Sequence, residues 1–443
     1  MTKMEIQALY ERFLACGGAV TTDSRTLKGG ELFFALKGEN FDGNAYALKA
    51  LDAGAKYAVV SEDSEAAQSG REGIIAVPDT LAALQALARH HRRSVRPEGR
   101  PLTVIGLTGT NGKTTTKELI RTVLATRYVL TATEGNLNND IGVPLTLLKI
   151  NDATQLAVVE MGANHPDDIA HLVQVCEPDL GLITNVGRAH LLGFGSFEGV
   201  KRAKGQLYDW IAARGGEVFL NTDDADLCAM VAERPGLSIL PYGLTHSGAS
   251  VLPSSPEEPF LRIKLGQRVI KTRLVGAYNA ANVMAALAVG ARFGVPVADA
   301  AEAIAAYVPA NNRSQMTRTE RNTLIVDAYN ANPSSMRAAL DNFAAVQAPC
   351  KLALLGDMRE LGEESLREHC AIVRQALAAD FKPVFVGEEF GKALRELAPD
   401  PMPGWFEDSA ALAAFLEANP VSGAVVLVKG SRGIKMENTL PAL

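Results

Sequence analysis

The segment Leu102-Thr103-Val104-Ile105-Gly106-Leu107 followed by Thr108-Gly109-Thr110-Asn111-Gly112-Lys113-Thr114-Thr115 constrains this chain more than any other. A short apolar run reads as a buried strand. A glycine-rich loop follows it, and a helical pattern follows the loop. Triphosphate needs inward-pointing backbone N–H groups, which glycines permit by removing side chains. It also needs a lysine charge for the β/γ-phosphates and a hydroxyl for magnesium. Gly112-Lys113-Thr114 supplies the end of that pattern, while the usual spacing asks for a further glycine where Leu107 stands. The competing interpretation is a glycine-rich turn with an exposed lysine.

Around this segment, apolar strands and helical stretches alternate. Leu156 to Val159, Leu180 to Thr184 and Glu217 to Leu220 continue the series, and Leu261 to Leu274 alternates around Gly266-Gln267 as a hairpin. Such alternation implies a mainly parallel sheet covered by helices. A length of 443 residues suggests roughly three domains. Residues 1–80 read as a small mixed α/β domain, 81–309 as a central domain of phosphate-loop type, and 310–443 as a smaller Rossmann-like α/β domain. Thr80 to Arg96 is an amphipathic helix, and its basic end, His90-His91-Arg92-Arg93, reads as a solvated helix terminus.

Composition excludes several classes. Lys+Arg 44 against Asp+Glu 50 leaves a net charge of −6, so a general nucleic-acid binder is not expected and any anion site is local. The five cysteines are scattered without Cys-x-x-Cys, which argues against a disulfide scaffold and a cysteine zinc site. No apolar run is long enough to span a membrane, and the N-terminus lacks a signal-peptide core. A soluble, reduced, cytoplasmic protein is the expectation.

In open parallel sheets, ligands bind beyond the carboxyl ends of the strands. Glu160 ends one strand, Asn185 follows another, His190 comes five residues later, and Lys204 lies on the next helix. Glu160 suits magnesium, which prefers oxygen ligands, but equally reads as a surface carboxylate. By residue type alone, His190 reads as structural and Lys204 as a solvated side chain like Lys201 and Arg202.

Together these segments, with Glu134-Gly135-Asn136-Leu137-Asn138-Asn139-Asp140-Ile141-Gly142-Val143-Pro144, Glu160-Met161-Gly162-Ala163 and Asn185-Val186-Gly187-Arg188-Ala189-His190, resemble the Mur ligases of peptidoglycan synthesis along nearly the whole chain. The resemblance implies an ATP- and Mg²⁺-dependent amide ligase that works through an acyl phosphate. Tyr329-Asn330-Ala331-Asn332-Pro333, Gly356-Asp357-Met358-Arg359-Glu360-Leu361-Gly362 and Lys429-Gly430-Ser431-Arg432-Gly433 point to the branch that joins D-alanyl-D-alanine to UDP-N-acetylmuramoyl-tripeptide. An Asp-Asn-Pro-Arg motif of the diaminopimelate-adding branch is not found. Diaminopimelate- or lysine-adding ligases, folylpolyglutamate synthase and a phosphate-loop ATPase switch are the alternatives; the first 80 residues argue against the synthase, which lacks a uridine-binding domain.

By the same resemblance, Thr108 to Thr115 hold ATP, with Lys113 and Thr114 at the β/γ-phosphates and magnesium. Glu160, His190, Lys204 and Thr114 lie at the metals, and Lys113, His190 and Lys204 serve catalysis. Lys204 matches a lysine that is carbamylated in relatives. Asn282, Arg313 and Asp327 match nucleotide contacts, although histidine is usual where Tyr278 stands and two successive acids where Val326-Asp327 stand. Ser24, Arg25, Asn40, Asn138, Asn139, Tyr329, Asn330 and Asn332 match substrate contacts, and a monomer acting on small molecules is expected.

Overall fold

The computed structural model describes residues 2–255, 258–309 and 313–443. The chain forms two compact units. The first comprises Met1–Leu107, Tyr128–Ala163 and Asp167–Gly181; the second comprises Thr108–Arg127, Asn164–Pro166 and Leu182–Leu443. The expected boundary at Ala310 lies outside the described residues.

In the first unit, Val20–Thr21, Leu32–Phe34, Tyr57–Ser61 and Ile74–Val77 form a four-stranded parallel sheet. Phe33, Ala58 and Val60 share its core with Ala47 and Ala50 of the helix Ala47–Asp52. The sequence reading anticipated only the two middle strands. Val20–Thr21 is too short to show a period, and Ile74–Val77 is mostly half-exposed.

The middle of the sequence builds a sheet in the order Ser238–Tyr242, Glu217–Asn221, Leu180–Ile183, Thr103–Thr108, Leu156–Glu160, Leu130–Ala132. Thr103–Thr108 pairs parallel with Leu156–Glu160, which pairs parallel with Leu130–Ala132; Glu217–Asn221 and Ser238–Tyr242 are also parallel. The helix Lys113–Leu124 follows the glycine-rich loop and is buried over most of its surface, with Thr116, Leu119, Ile120 and Val123 among its buried residues. It packs against Ala280–Arg292. The anticipated hairpin is present as Arg262–Leu265 and Arg268–Lys271, with Ala249–Leu252 as a third antiparallel strand.

The C-terminal sheet runs Gln315–Arg318, Thr323–Asp327, Val425–Lys429, Lys351–Gly356, Lys382–Val386, Gly404–Phe406, parallel except for its first strand. Val425–Lys429 lies between two strands that precede it in sequence. The carboxyl ends on either side of this reversal form a crevice position of the doubly wound kind. They carry Asp327, Asp357 and Lys429. Among the described residues, no helix is long and apolar enough to cross a membrane.

Candidate functional site

The phosphate loop starts two residues later than the usual glycine spacing suggests, at Gly109 after the strand Thr103–Thr108. Leu107 is still inside the strand and fully buried, so no turn glycine is needed there. The turn is made by Gly109 at φ +147° and Gly112 at φ +77°, the second directly preceding the helix. A Cβ on Gly109 would come within 1.9 Å of Thr184 Oγ1, and one on Gly112 within 2.7 Å of Asn282 Oδ1. The loop backbone is held from the neighbouring strand end. Thr110 N–H donates to Asn185 O (3.0 Å), and Asn111 N–H donates to Asn185 Oδ1 (3.0 Å). Asn111 O accepts from Thr184 Oγ1 (2.7 Å) and Asn185 Nδ2 (3.0 Å). Lys113 Nζ folds over the loop onto Gly109 O (2.8 Å) and Thr110 O (3.1 Å). A helix N-terminus with a lysine above it is an anion cradle.

Glu160 lies in register with Leu107, beside the entrance to that loop, and Met161 N–H donates to Leu107 O (2.8 Å). It is 1% exposed, so its interpretation as a surface carboxylate is excluded. Asn138 Nδ2 donates to Glu160 Oε1 (2.7 Å), while Asn139 Oδ1 accepts from Gly142 N–H (2.9 Å) and closes a turn. Lys204 is 2% exposed on the helix Phe197–Ala212, with its Nζ 5.7 Å from the Phe194 ring centroid. It is therefore not a solvated lysine; Lys201 is half-buried and pairs with Asp226 (2.6 Å).

His190 adopts φ +52°, a conformation uncommon outside glycine, and its Nδ1 bonds to the Glu360 carboxylate. Burial lowers its pKa. The Glu360 charge opposes that effect, and the positive charges of Lys113 and Lys204 reinforce it. The two lysines expected at the site thus both act on His190. Among the described residues, no three His, Cys, Asp or Glu side chains converge into a metal cage. The donors fit Mg²⁺ of the kind held by one or two protein oxygens together with phosphates and water. Glu160 carries a carboxylate and Thr114 a hydroxyl, the oxygen chemistry that Mg²⁺ takes.

A polar chain continues from the loop into the C-terminal domain. Thr116 Oγ1 donates to Asn282 Oδ1 (3.0 Å), and Asn282 Nδ2 donates to Asn279 Oδ1 (2.9 Å). Asn279 Nδ2 reaches Ser314 Oγ (3.2 Å), which also bonds the Tyr278 hydroxyl (3.1 Å). Ser314 N–H donates to Asp327 Oδ1 (3.3 Å), and Asp327 Oδ2 accepts from the buried Lys429 Nζ (2.5 Å). Val326 is buried in the sheet, so only Asp327 of this pair faces the polar chain. The Arg313 guanidinium lies 3.7 Å from the Tyr329 ring centroid. Asn332 Nδ2 donates to Asn111 Oδ1 of the phosphate loop (2.8 Å), and Asn332 caps the helix Pro333–Ala344. Asn330 Oδ1 accepts from Ala331 N–H (2.9 Å) and turns the chain.

In the first domain, Asp23 caps the short helix Ser24–Thr26 and pairs with Arg25 (2.7 Å), whose hydrogen bonds hold the Asp23 carboxyl down at about 2. Asn40 is exposed beside Phe41, also exposed. The basic helix end is a correction. His91 and Arg92 are buried: His91 Nε2 reaches Ile150 O (2.8 Å), and Arg92 donates to Cys176 O (3.2 Å), Glu177 O (2.7 Å) and Asp179 Oδ2 (2.8 Å). A run of charges looks solvated when the carbonyls that receive it are about 60 to 85 residues away in sequence. Asn279 and Ser314 were not singled out as site residues, because short polar side chains carry no periodic signal.

Three family descriptions match the chain: "Mur ligase family, catalytic domain" over residues 18–92, "Mur ligase middle domain" over 107–290, and "Mur ligase, glutamate ligase domain" over 312–432. The chain belongs to the Mur ligase family. The UDP-N-acetylmuramoyl-tripeptide–D-alanyl-D-alanine ligase of Bacillus subtilis is 34% identical, covering 98% of this chain and 94% of that protein. That of Escherichia coli is also 34% identical, over 96% and 93%. Among solved structures, MurF from Acinetobacter baumannii aligns with a TM-score of 0.84 at 29% identity, covering 97% of each chain. MurF from Thermotoga maritima in complex with ADP aligns at 0.80 and 25% identity, covering 96% of each.

Proposed function

We propose that this chain joins the amine of D-alanyl-D-alanine to the terminal carboxylate of UDP-N-acetylmuramoyl-tripeptide, with ATP converted to ADP and phosphate. One observation carries the reading. The phosphate loop is clasped by the C-terminal domain at Asn111–Asn332, on a chain that matches the UDP-N-acetylmuramoyl-tripeptide–D-alanyl-D-alanine ligase of Bacillus subtilis over 98% of its length.

A carboxylate does not condense with an amine near neutral pH because its oxygen is a poor leaving group. The γ-phosphoryl of ATP is transferred to a carboxylate oxygen and ADP departs. The dipeptide nitrogen then attacks the acyl carbon and loses a proton, and the tetrahedral intermediate collapses with expulsion of phosphate. Positioning and charge neutralisation dominate phosphoryl transfer. Lys113 and the loop N–H groups supply both, with Thr108 to Thr115 around the triphosphate and Asn282, Arg313 and Asp327 toward the nucleoside. Thr114, Glu160 and His190 would hold a magnesium ion, which would supply charge neutralisation on the phosphates when bound.

Lys204 belongs to the same reading. A buried amine that has lost its proton reacts with carbon dioxide to give a carbamate, turning a cation into a long oxygen ligand suited to Mg²⁺. Ser24, Arg25 and Asn40 take the uridine diphosphate, Asn138 and Asn139 the acceptor, and Tyr329, Asn330 and Asn332 the dipeptide side. The protein acts as a cytoplasmic monomer on small molecules, and domains at 1–80, 81–309 and 310–443 divide these tasks. Product masses with D-alanyl-D-alanine, diaminopimelate and lysine test the reading. Addition of the dipeptide is expected, and addition of a single diamino acid instead overturns it.

A further inference from the structure

The loop after the strand Lys351–Gly356 is tied down on both sides of one exposed acid. Asp357 accepts N–H bonds from Glu389 (3.0 Å) and Phe390 (2.8 Å) at the start of the helix Glu388–Leu397, and Asp357 O accepts from Ser431 N–H (3.1 Å). Met358 N–H donates to His369 Nε2 (3.0 Å), and the Met358 and Leu361 side chains are buried. Between these anchors Glu360 takes φ +64°. Its carboxylate bonds His190 Nδ1, and its carbonyl accepts from Leu192 N–H (3.3 Å). Arg188 adds a longer contact to Glu364 at 4.0 Å. Glu360 and His190, both non-glycine residues in the left-handed region, meet here; such conformations persist where the surroundings over-determine them.

Stability alone does not account for this pairing. The Glu360 side chain is 58% exposed, and ion pairs of that kind contribute little to folding. The pair does fix the ring. A carboxylate on Nδ1 selects the tautomer that carries its proton there and leaves Nε2 as the nitrogen with a free lone pair.

We propose that Glu360 is a positioning residue for the ligase reaction: it comes from the C-terminal domain and holds His190 in the tautomer and orientation that the phosphate and metal side requires. The inference rests on the assignment of His190 to that side. It makes completion of the ATP site depend on the seating of the C-terminal domain, which the reading above gives to the dipeptide.

The test compares Glu360→Ala, Glu360→Gln, His190→Ala and the Glu360→Ala/His190→Ala double variant in the full-length enzyme. The readouts are thermal melting, kcat and KM for ATP, and Mn²⁺ binding to the ADP-bound enzyme by electron paramagnetic resonance. Loss of an outer partner of a ligating histidine typically costs about 10–100-fold in metal affinity or activity. Glu360→Ala should lower kcat and Mn²⁺ affinity within that range, with melting and the KM for ATP little changed. Glu360→Gln, which keeps an acceptor, should lose less. The double variant should be no worse than His190→Ala alone, because Glu360 acts through that ring. Normal kcat and Mn²⁺ binding in Glu360→Ala, beside an impaired His190→Ala, overturns the proposal alone. So does a double variant whose losses multiply. Normal behaviour of His190→Ala overturns the underlying assignment and the proposal with it.

Discussion

Replacing Gly112 with alanine puts a methyl group where the phosphate loop has no room for one. The backbone sits at φ +77°, and the three atoms nearest the new Cβ all belong to Asn282: Oδ1 at 2.7 Å, Nδ2 at 3.1 Å and Cγ at 3.2 Å. The left-handed conformation costs a non-glycine residue about 1–2 kcal/mol. Asn282 can move aside only by giving up its bonds to Thr116 and Asn279, at about 1 kcal/mol each. Together these come to about 3–4 kcal/mol, which is about 150- to 1000-fold in turnover if it falls on the ATP-bound state. Steady-state kinetics and ATP titration of Gly112→Ala measure the loss, and Gly112→Ala/Asn282→Ala apportions it. Removing the Asn282 carboxamide relieves the clash but not the backbone strain. The double variant should therefore show a favourable coupling of about 1–2 kcal/mol relative to additivity. A Gly112→Ala enzyme within twofold of the parent, or a strictly additive pair, refutes this account of the loop.

Three further outcomes are expected. Lys113→Ala should keep the fold and lose most turnover, because its ammonium offsets phosphate charge in the transition state; a folded variant with normal turnover rejects the phosphate-loop assignment. Lys204→Ala should be nearly inactive and saturably rescued by formate or acetate, which do not help Lys113→Ala; normal activity without rescue removes the carbamate role. Stability should fall as pH drops below about 6.5, because burial lowers the pKa of His91 and His369 and the unfolded chain then binds more protons than the folded one. The loss levels off once pH passes below the folded-state values. Urea midpoints at several pH values check it, and His369→Gln should flatten part of the slope.

The strand–loop–helix at Thr103 to Leu124 was legible because its signals are local: an apolar run, two turn glycines, then a helical stretch. The C-terminal strands Thr323–Asp327, Lys351–Gly356, Lys382–Val386 and Val425–Lys429 were legible for the same reason, while the mostly exposed edge strand Gly404–Phe406 was not. What sequence could not show is pairing across distance. Nothing near Glu360 points to His190, 170 residues earlier, nor near Arg92 to the carbonyls of Cys176 and Glu177. Glu160 and Lys204 read as surface charges by type, and only burial separates them from Lys201. The first-domain edge strands escaped because two or four residues, mostly half-exposed, carry neither period nor continuous apolarity.

The account's central claim is that phosphate-loop chemistry here is coupled to amide formation. It is tested most directly by phosphate release with ATP, UDP-N-acetylmuramoyl-tripeptide and D-alanyl-D-alanine present, and with each omitted in turn. Sustained release is predicted only with all three, at one phosphate per dipeptide joined. Steady release from ATP without the dipeptide, or dependence on a protein partner instead, would contradict it.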